Sequence, residues 1–197
     1  TKAYIVQDEQ LNESEVLAKK EDGEKEINRI ANPLAMNLYT LGYTGDKKLT
    51  QVNTAIKQNL KNYLGQYRMM TDAVNIKDAF IINIGVNFDV VPVPTENANV
   101  VLLRCIDAVK KFFEIDKWQI NQPILIAELQ RELFLTEGVS NIPALEIVNK
   151  FDTDSNYSGN VYNIQEATRD NIVYPSLDPS IFEVKFPNTD IQGRVVS

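Results

Sequence analysis

The clearest secondary-structure signal in the chain is the run FIINIGVNFDV at residues 80–90. Apolar side chains occupy every second position from Phe80 to Val90, and the positions between them include two asparagines, a glycine and an aspartate. Because successive side chains of a strand point to opposite faces, this alternation predicts a strand with one face in a core and the other largely in water. Pro92 and Pro94 end the run.

Two helices and a second strand are predicted after this strand. Residues 97–114 place their apolar side chains on two adjoining helical stripes, so this helix has a wide face to bury. Residues 123–134 form a shorter amphipathic helix, since Pro123 is tolerated in a first turn. Residues 142–148 form the second strand. The order strand, helix, helix, strand predicts an α+β unit at residues 76–150, with a mixed or antiparallel sheet covered by helices.

The segment before this unit, residues 1–75, is predicted to be a mixed helical segment with a strand at its N-terminus, residues 2–7. A helix is predicted at residues 49–64, where Thr50 can cap the first turn and Gly65 ends the last one. Its apolar stripe consists of Val52, Ile56, Leu60 and Leu64, with Tyr63 beside it.

The last segment, residues 151–197, begins with a polar loop and continues as a chain interrupted by Pro175, Pro179 and Pro187. A short strand-like run lies at residues 181–186. Few partners within its own domain can reach such a tail. We therefore expect an extended C-terminal arm, either draped over the core or docked on another subunit.

Composition excludes several classes of function. The 197 residues include no histidine, so serine-hydrolase triads, Cys-His proteases and His-bearing zinc sites are excluded. The single cysteine, Cys105, lies on an apolar helical stripe, where we expect a small buried hydrophobe. The net charge of −7 disfavours nucleic acid as a partner. We expect no membrane contact, because no apolar stretch reaches the ~18 residues that a span needs.

Two alternatives to a purely structural role remain open at this level. One is a carboxylate-based glycan hydrolase, since the 27 acidic residues offer many pairs. The other is a calcium- or small-ligand-binding module, because Asp152, Asp154 and Asn156 have the spacing of the first three calcium ligands. Tyr157 stands where such a loop needs glycine, which favours a polar surface loop. We therefore predict no catalytic residue and no metal or cofactor site.

Arg68 and Asp72 form a further candidate pair. Arg68 lies just past the end of the predicted helix, between apolar residues, and Asp72 follows four positions later. A guanidinium and a carboxylate at this distance can form a geometrically fixed ion pair. We predict a structural clamp that fixes the crossing from helix to strand.

Four long runs of the sequence resemble the inner-ring baseplate wedge proteins of T-even-like phages. They are NLKNYLGQYRMMTD at residues 59–72, IKDAFIINIGV at 76–86, FEIDKWQINQP at 113–123 and NIVYPSLDPSIFEVKFPNTDIQG at 171–193. More distantly, the pattern Tyr-Leu-x-x-Tyr-Arg, followed by a strand, two helices ending in Glu-Gly-Val and a strand, is similar to the baseplate J family. The chain corresponds to the C-terminal part of the wedge protein, and we expect it to be a fragment of a longer one.

The resemblance implies a structural role in the tail baseplate of a virion that is assembled in the host cytoplasm. Such proteins form homodimers, and the dimers join neighbouring wedges into a ring around the central hub. The implied partners are therefore a second copy and other baseplate wedge proteins. No catalytic or cofactor residue comes with the family.

For the self-contact we expect apolar and aromatic anchors in the C-terminal arm. The candidates are Tyr174, Phe182, Val184 and Phe186. On this hypothesis, Phe182→Asp combined with Phe186→Asp yields a folded, soluble monomer.

Overall fold

The structure, a computed structural model, describes residues 2–7, 35–67, 73–152 and 157–196. The chain divides into two compact units. The first unit comprises residues 1–80 and 177–179, and the second comprises residues 81–176 and 180–197. Helices together with mixed and antiparallel sheets confirm the predicted α+β class. The predicted boundaries at 75/76 and 150/151 differ from this division, because the last segment of the chain contributes to both units.

The first unit is built on a four-stranded mixed sheet. Its central strand β2 (Ala35–Tyr43) pairs antiparallel with β1 (Lys2–Gln7) and parallel with β4 (Ala73–Asp78). The two-residue strand β3 (Leu49–Thr50) pairs antiparallel with the end of β2. The prediction of a strand at residues 2–7 is confirmed. The part of this segment that the structure describes contains four strands and one helix, so it is less helical than expected.

That helix, α1 (Thr54–Gly65), starts later than the sequence suggested. Residues 49–50 are taken up by β3, so Thr50 cannot cap it. The side chain of Asn53 accepts a hydrogen bond from the backbone N–H of Ala55 at 2.9 Å and caps the first turn instead. The helix ends at Gly65, as predicted.

The second unit is built around β5 (Phe80–Pro92), the strand predicted from the alternating run. β7 (Val139–Asn149) pairs antiparallel with it, and β11 (Ile191–Val195) pairs parallel with it. β10 (Ser180–Glu183) completes this four-stranded sheet. Ile84, Val86 and Val90 are fully buried, as the period of two predicts.

Two helices pack against this sheet. α2 (Ala98–Phe112) lies on β11, and α3 (Ile126–Phe134) lies on β7 and on α2. The side chain of Asn97 caps α2 through the backbone N–H of Asn99. Close packing of α2 requires glycine at position 193, because a Cβ there would come within 2.6 Å of the Phe88 ring and of Leu102.

The remaining elements of the second unit are short. A 3-10 helix (Ile115–Lys117) follows α2. A small antiparallel sheet consists of β6 (Ile124–Leu125), β9 (Ile172–Val173) and β8 (Thr168–Arg169) in that order. The four-residue helices α4 (Ile164–Ala167) and α5 (Pro187–Asp190) precede β8 and β11.

The polar positions of β5 are not all in water, contrary to the simple alternation. Asn83 is fully buried, and its side-chain amide donates to the Glu183 carboxylate at 2.9 Å. Its side-chain oxygen accepts from the backbone N–H of Ser158 at 2.7 Å. The side chains of Ser158 and Asn160 donate to the carbonyl of Ile81 at 2.7 and 2.9 Å. The loop that carries them therefore covers the first half of β5, and its hydrogen bonds compensate for the burial.

The extended C-terminal arm is not confirmed. Residues 180–183 and 191–195 are strands β10 and β11, and both belong to the same sheet as β5. Pro187 begins α5, a position where its missing N–H removes no hydrogen bond. The prolines therefore mark the ends of short elements within the unit, and they do not mark a free tail.

The phenol of Tyr157 holds the C-terminal elements in place. It donates a hydrogen bond to the buried carboxylate of Asp190, which also accepts from the backbone N–H of Phe186 at 2.8 Å. Burial of the phenol, this hydrogen bond and the nearby negative charge raise the pKa of Tyr157 to about 12. Because the pKa is raised, the neutral phenol contributes its full stabilisation at every pH below 10, the ordinary pKa of tyrosine. This contribution is lost as the pH rises through about 12.

Replacing Tyr157 with phenylalanine is expected to lower the free energy of unfolding by about 1 kcal/mol, because a half-exposed hydrogen bond to a carboxylate is lost. Urea unfolding measures this cost. Phenolate absorbance should show that the wild type and the variant differ by one group titrating near pH 12. Tyr162→Phe is the control, since its hydroxyl donates to the exposed carbonyl of Tyr174. A difference titrating near pH 10 would contradict the bond to Asp190.

Candidate assembly surfaces

The four predicted interface residues do not share one surface. Phe182 is 1 % exposed and Val184 is 9 % exposed, so both belong to the core of the second unit. The ring of half-buried Phe186 packs edge-on against Tyr157, with ring centroids 5.4 Å apart. Only Tyr174 is exposed to a large degree, at 46 %. The assignment of Phe182 and Val184 as interface anchors is therefore corrected, because their side chains are buried within their own unit.

Tyr174 is one of several exposed apolar side chains on the second unit. Val161 and Phe151 are each more than half exposed. Asn149 accepts from the backbone N–H of Tyr162 at 2.9 Å, and the hydroxyl of Tyr162 donates to the carbonyl of Tyr174 at 2.7 Å. These bonds join the three segments on which the exposed side chains lie. We call Phe151, Val161 and Tyr174 the Tyr174 patch.

The first unit has an apolar surface of its own on α1. None of the twelve residues of this helix is buried. Ile56 is 58 % exposed, Tyr63 is 57 % exposed and Tyr67, in the turn after the helix, is 73 % exposed. The rings of Tyr63 and Tyr67 pack against each other with centroids 5.1 Å apart.

α1 is held to the first unit by its other side. Leu64 is half-buried on this side, and Leu60 is half-buried at the border between this side and the exposed surface. The ammonium group of Lys57 forms an ion pair with the Asp78 carboxylate, which also accepts a hydrogen bond from the backbone N–H of Val52. The sequence predicted one apolar stripe on this helix. In the structure that stripe is wider than the side that the unit covers, and it extends outward through Ile56 and Tyr63.

A groove of about 630 Å³ lies between α2 and α3 of the second unit. Phe112 and Trp118 belong to its apolar lining, and the Trp118 indole N–H donates to the Phe112 carbonyl at 3.1 Å. Lys111 lines it on α2, and Glu128 and Glu132 line it on α3. The lining therefore combines apolar surface with both signs of charge, which selects no single class of ligand.

The remaining candidates are the single cysteine, the predicted ion pair and the calcium-like loop. Burial raises the pKa of the Cys105 thiol to about 11, so it stays protonated at neutral pH. Arg68 and Asp72 lie outside the described residues, as do Asp154 and Asn156 of the proposed calcium loop. Within the described ranges, no group of three or more acidic or cysteine side chains is placed to hold a metal ion. None of the described helices is long and apolar enough to cross a membrane.

No protein-family model matches the chain, and no curated protein matches it.

The sequence did not identify the outward part of the α1 stripe or the residues beside Tyr174. Ile56 and Tyr63 have the spacing of core residues, and only their exposed fractions show that the described part of their unit leaves them uncovered. Val161 and Phe151 stand singly among polar neighbours, so they have no periodic pattern. Seven-residue spacing of Ile56 and Tyr63 is the signal that points to a seam between helices.

Proposed function

We propose that this chain is a structural component of the baseplate of a contractile phage tail, and that it self-associates to join wedges into a ring around the hub. Four long runs that resemble inner-ring wedge proteins support this proposal, including residues 59–72 and 171–193. The proposed place of action is the virion, after assembly in the host cytoplasm. The proposed partners are a second copy and other wedge proteins.

The structural observation that favours this role is that each compact unit has its own uncovered apolar surface. The first unit presents Ile56, Tyr63 and Tyr67, and the second unit presents the Tyr174 patch. A protein that links its neighbours into a ring needs contact surfaces for more than one neighbour. Exposed aromatic side chains are the residue type that most often anchors such contacts.

Self-association is tested by sedimentation equilibrium of the purified chain over a wide range of concentrations. We expect a monomer–dimer equilibrium, because exposed aromatic clusters on folded units favour association. A chain that stays monomeric at every concentration, including the highest that remains soluble, would contradict the self-association part of the proposal.

The location in the virion is tested separately. A gold-labelled antibody raised against the purified chain should bind the baseplate end of contractile tails of the virus that encodes it. An antibody against the major sheath protein is the control for access to the particle. Labelling elsewhere on the particle, or none despite labelled sheath, would contradict the baseplate assignment.

A further inference from the structure

We infer that α1 pairs with α1 of a second copy, in an antiparallel two-fold contact through Ile56, Leu60, Tyr63 and Tyr67. This inference rests on the proposed self-association and names the surface that makes it.

The spacing of these four residues is that of a helix-pairing seam. They follow one another at intervals of four, three and four, which is the alternation of a and d positions in a coiled coil. Ile56, Leu60 and Tyr63 lie on α1, and Tyr67 follows in the turn, where its backbone N–H bonds to the Leu64 carbonyl at 3.1 Å. The seam spans ~16 Å along the helix axis. A second copy of α1 offers a seam of the same length.

The charges of α1 favour a second copy as the occupant. A two-fold contact places a surface against a copy of itself, so a seam flanked by charges of one sign only would repel its counterpart. α1 has two charged residues. Lys57 is already paired with Asp78, and Lys61 lies about 130° around the helix from the centre of the seam, by the 3.6-residue period.

The outward flank of the seam consists of Asn59 and Gln66, which are neutral. Amides both donate and accept, so they can bond to their counterparts in a symmetric contact. A partner with acidic residues would find no cation along this flank. The seam therefore fits a copy of itself better than a complementary charged helix.

In the antiparallel arrangement, Leu60 faces Tyr63 of the second copy, and Ile56 faces Tyr67 of the second copy. Each contact then joins one aliphatic with one aromatic side chain. Such a pair buries the exposed Tyr63 and Tyr67 rings, which provide rigid apolar area with a hydroxyl that can stay at the wet rim.

The test uses two variants of opposite charge. One carries Ile56→Glu with Tyr67→Glu, and the other carries Ile56→Lys with Tyr67→Lys, because these two positions face each other across the contact. Ile56 is 58 % exposed and Tyr67 is 73 % exposed, so each variant should fold with the wild-type melting profile. Sedimentation should show that the dissociation constant of each variant alone rises at least about 100-fold, because anchor residues are lost and like charges meet.

An equimolar mixture of the two variants should form a heterodimer, because glutamates on one seam then face lysines on the other. The control variant carries Gln58→Glu with Asn62→Glu, which makes the same charge change on the far side of the same helix. Its dissociation constant should stay within about threefold of the wild-type value, since exposed charges away from an interface contribute little.

The sedimentation results for the wild type, the two variants and their mixture distinguish the possible contacts. Two monomeric variants that recover a dimer on mixing establish contact between two α1 helices. Variants that remain dimeric overturn this inference and leave the proposed self-association standing through another surface. Monomeric variants that do not recover on mixing also overturn it, in favour of a contact between α1 and a different surface. A monomeric wild type overturns both this inference and the proposed self-association.

Discussion

Replacing Phe182 with alanine is expected to lower the free energy of unfolding by about 3–5 kcal/mol, the usual cost of removing a buried aromatic ring. Phe182 is one of the largest fully buried side chains in the described chain, and it lies on β10 beside β5. The ring of Tyr162 lies 6.1 Å away, centroid to centroid, so the cavity would form under the loop that covers this edge. Urea unfolding followed by circular dichroism measures the loss.

Tyr174→Ala is the matched control, because it removes an aromatic ring of similar size from an exposed position. Its cost should stay below about 1 kcal/mol. A charge at the buried position 182 should unfold the second unit. Phe182→Asp with Phe186→Asp should therefore not give the folded monomer that the sequence led us to expect. If Phe182→Ala left stability unchanged but abolished self-association, the C-terminal segment would be an interface arm after all.

The second large effect is expected at Asn83. Asn83→Ala removes a donor to the buried Glu183 carboxylate and the acceptor for the Ser158 backbone N–H. Removing partners from buried polar groups costs the desolvation of those groups, so we expect a loss of about 2–3 kcal/mol in the free energy of unfolding. Hydrogen exchange should also show faster exchange at Ser158, because its N–H loses its acceptor.

Asn87→Ala on the same strand is the control. Asn87 points to the same face of β5, two pairs of residues further along, and is only half-buried. The same chemical change there should cost less than about 1 kcal/mol. Equal effects at the two positions would contradict the assignment of Asn83 as the residue that fastens the covering loop to the strand.

Elements set by local pattern could be predicted from the sequence. The β5 strand follows from a strict period of two, and α2 follows from a helical period with Asn97 at its cap. Both signals come from residues within one element, so no knowledge of distant partners is required. The start of α1 was missed because two candidate caps, Thr50 and Asn53, stand three residues apart, and pairing of β3 with β2 decides between them.

Pairing between distant segments could not be predicted. β11 pairs with β5 across more than half of the chain, as Val86 opposite Ile191 shows. The sequence signal at β10 and β11 is only a short apolar run near prolines, which is equally typical of an arm. Burial of Asn83 depends in the same way on a loop far along the chain. For the assembly surfaces, periodicity identifies apolar side chains that favour burial. Whether their own unit buries them depends on the fold.

The position of β5 has a consequence for how the protein is made. Its antiparallel partner β7 begins about 50 residues later, and its parallel partner β11 is made about 100 residues later. During translation, a nascent chain that already includes β5 has to keep this apolar strand from other chains until the ribosome adds the strands that pair with it. Pairing over such sequence distances also slows folding, because closing a long loop costs entropy before any contact forms. Yield in a host cell should therefore depend on temperature and chaperone supply more than the stability of the finished protein suggests.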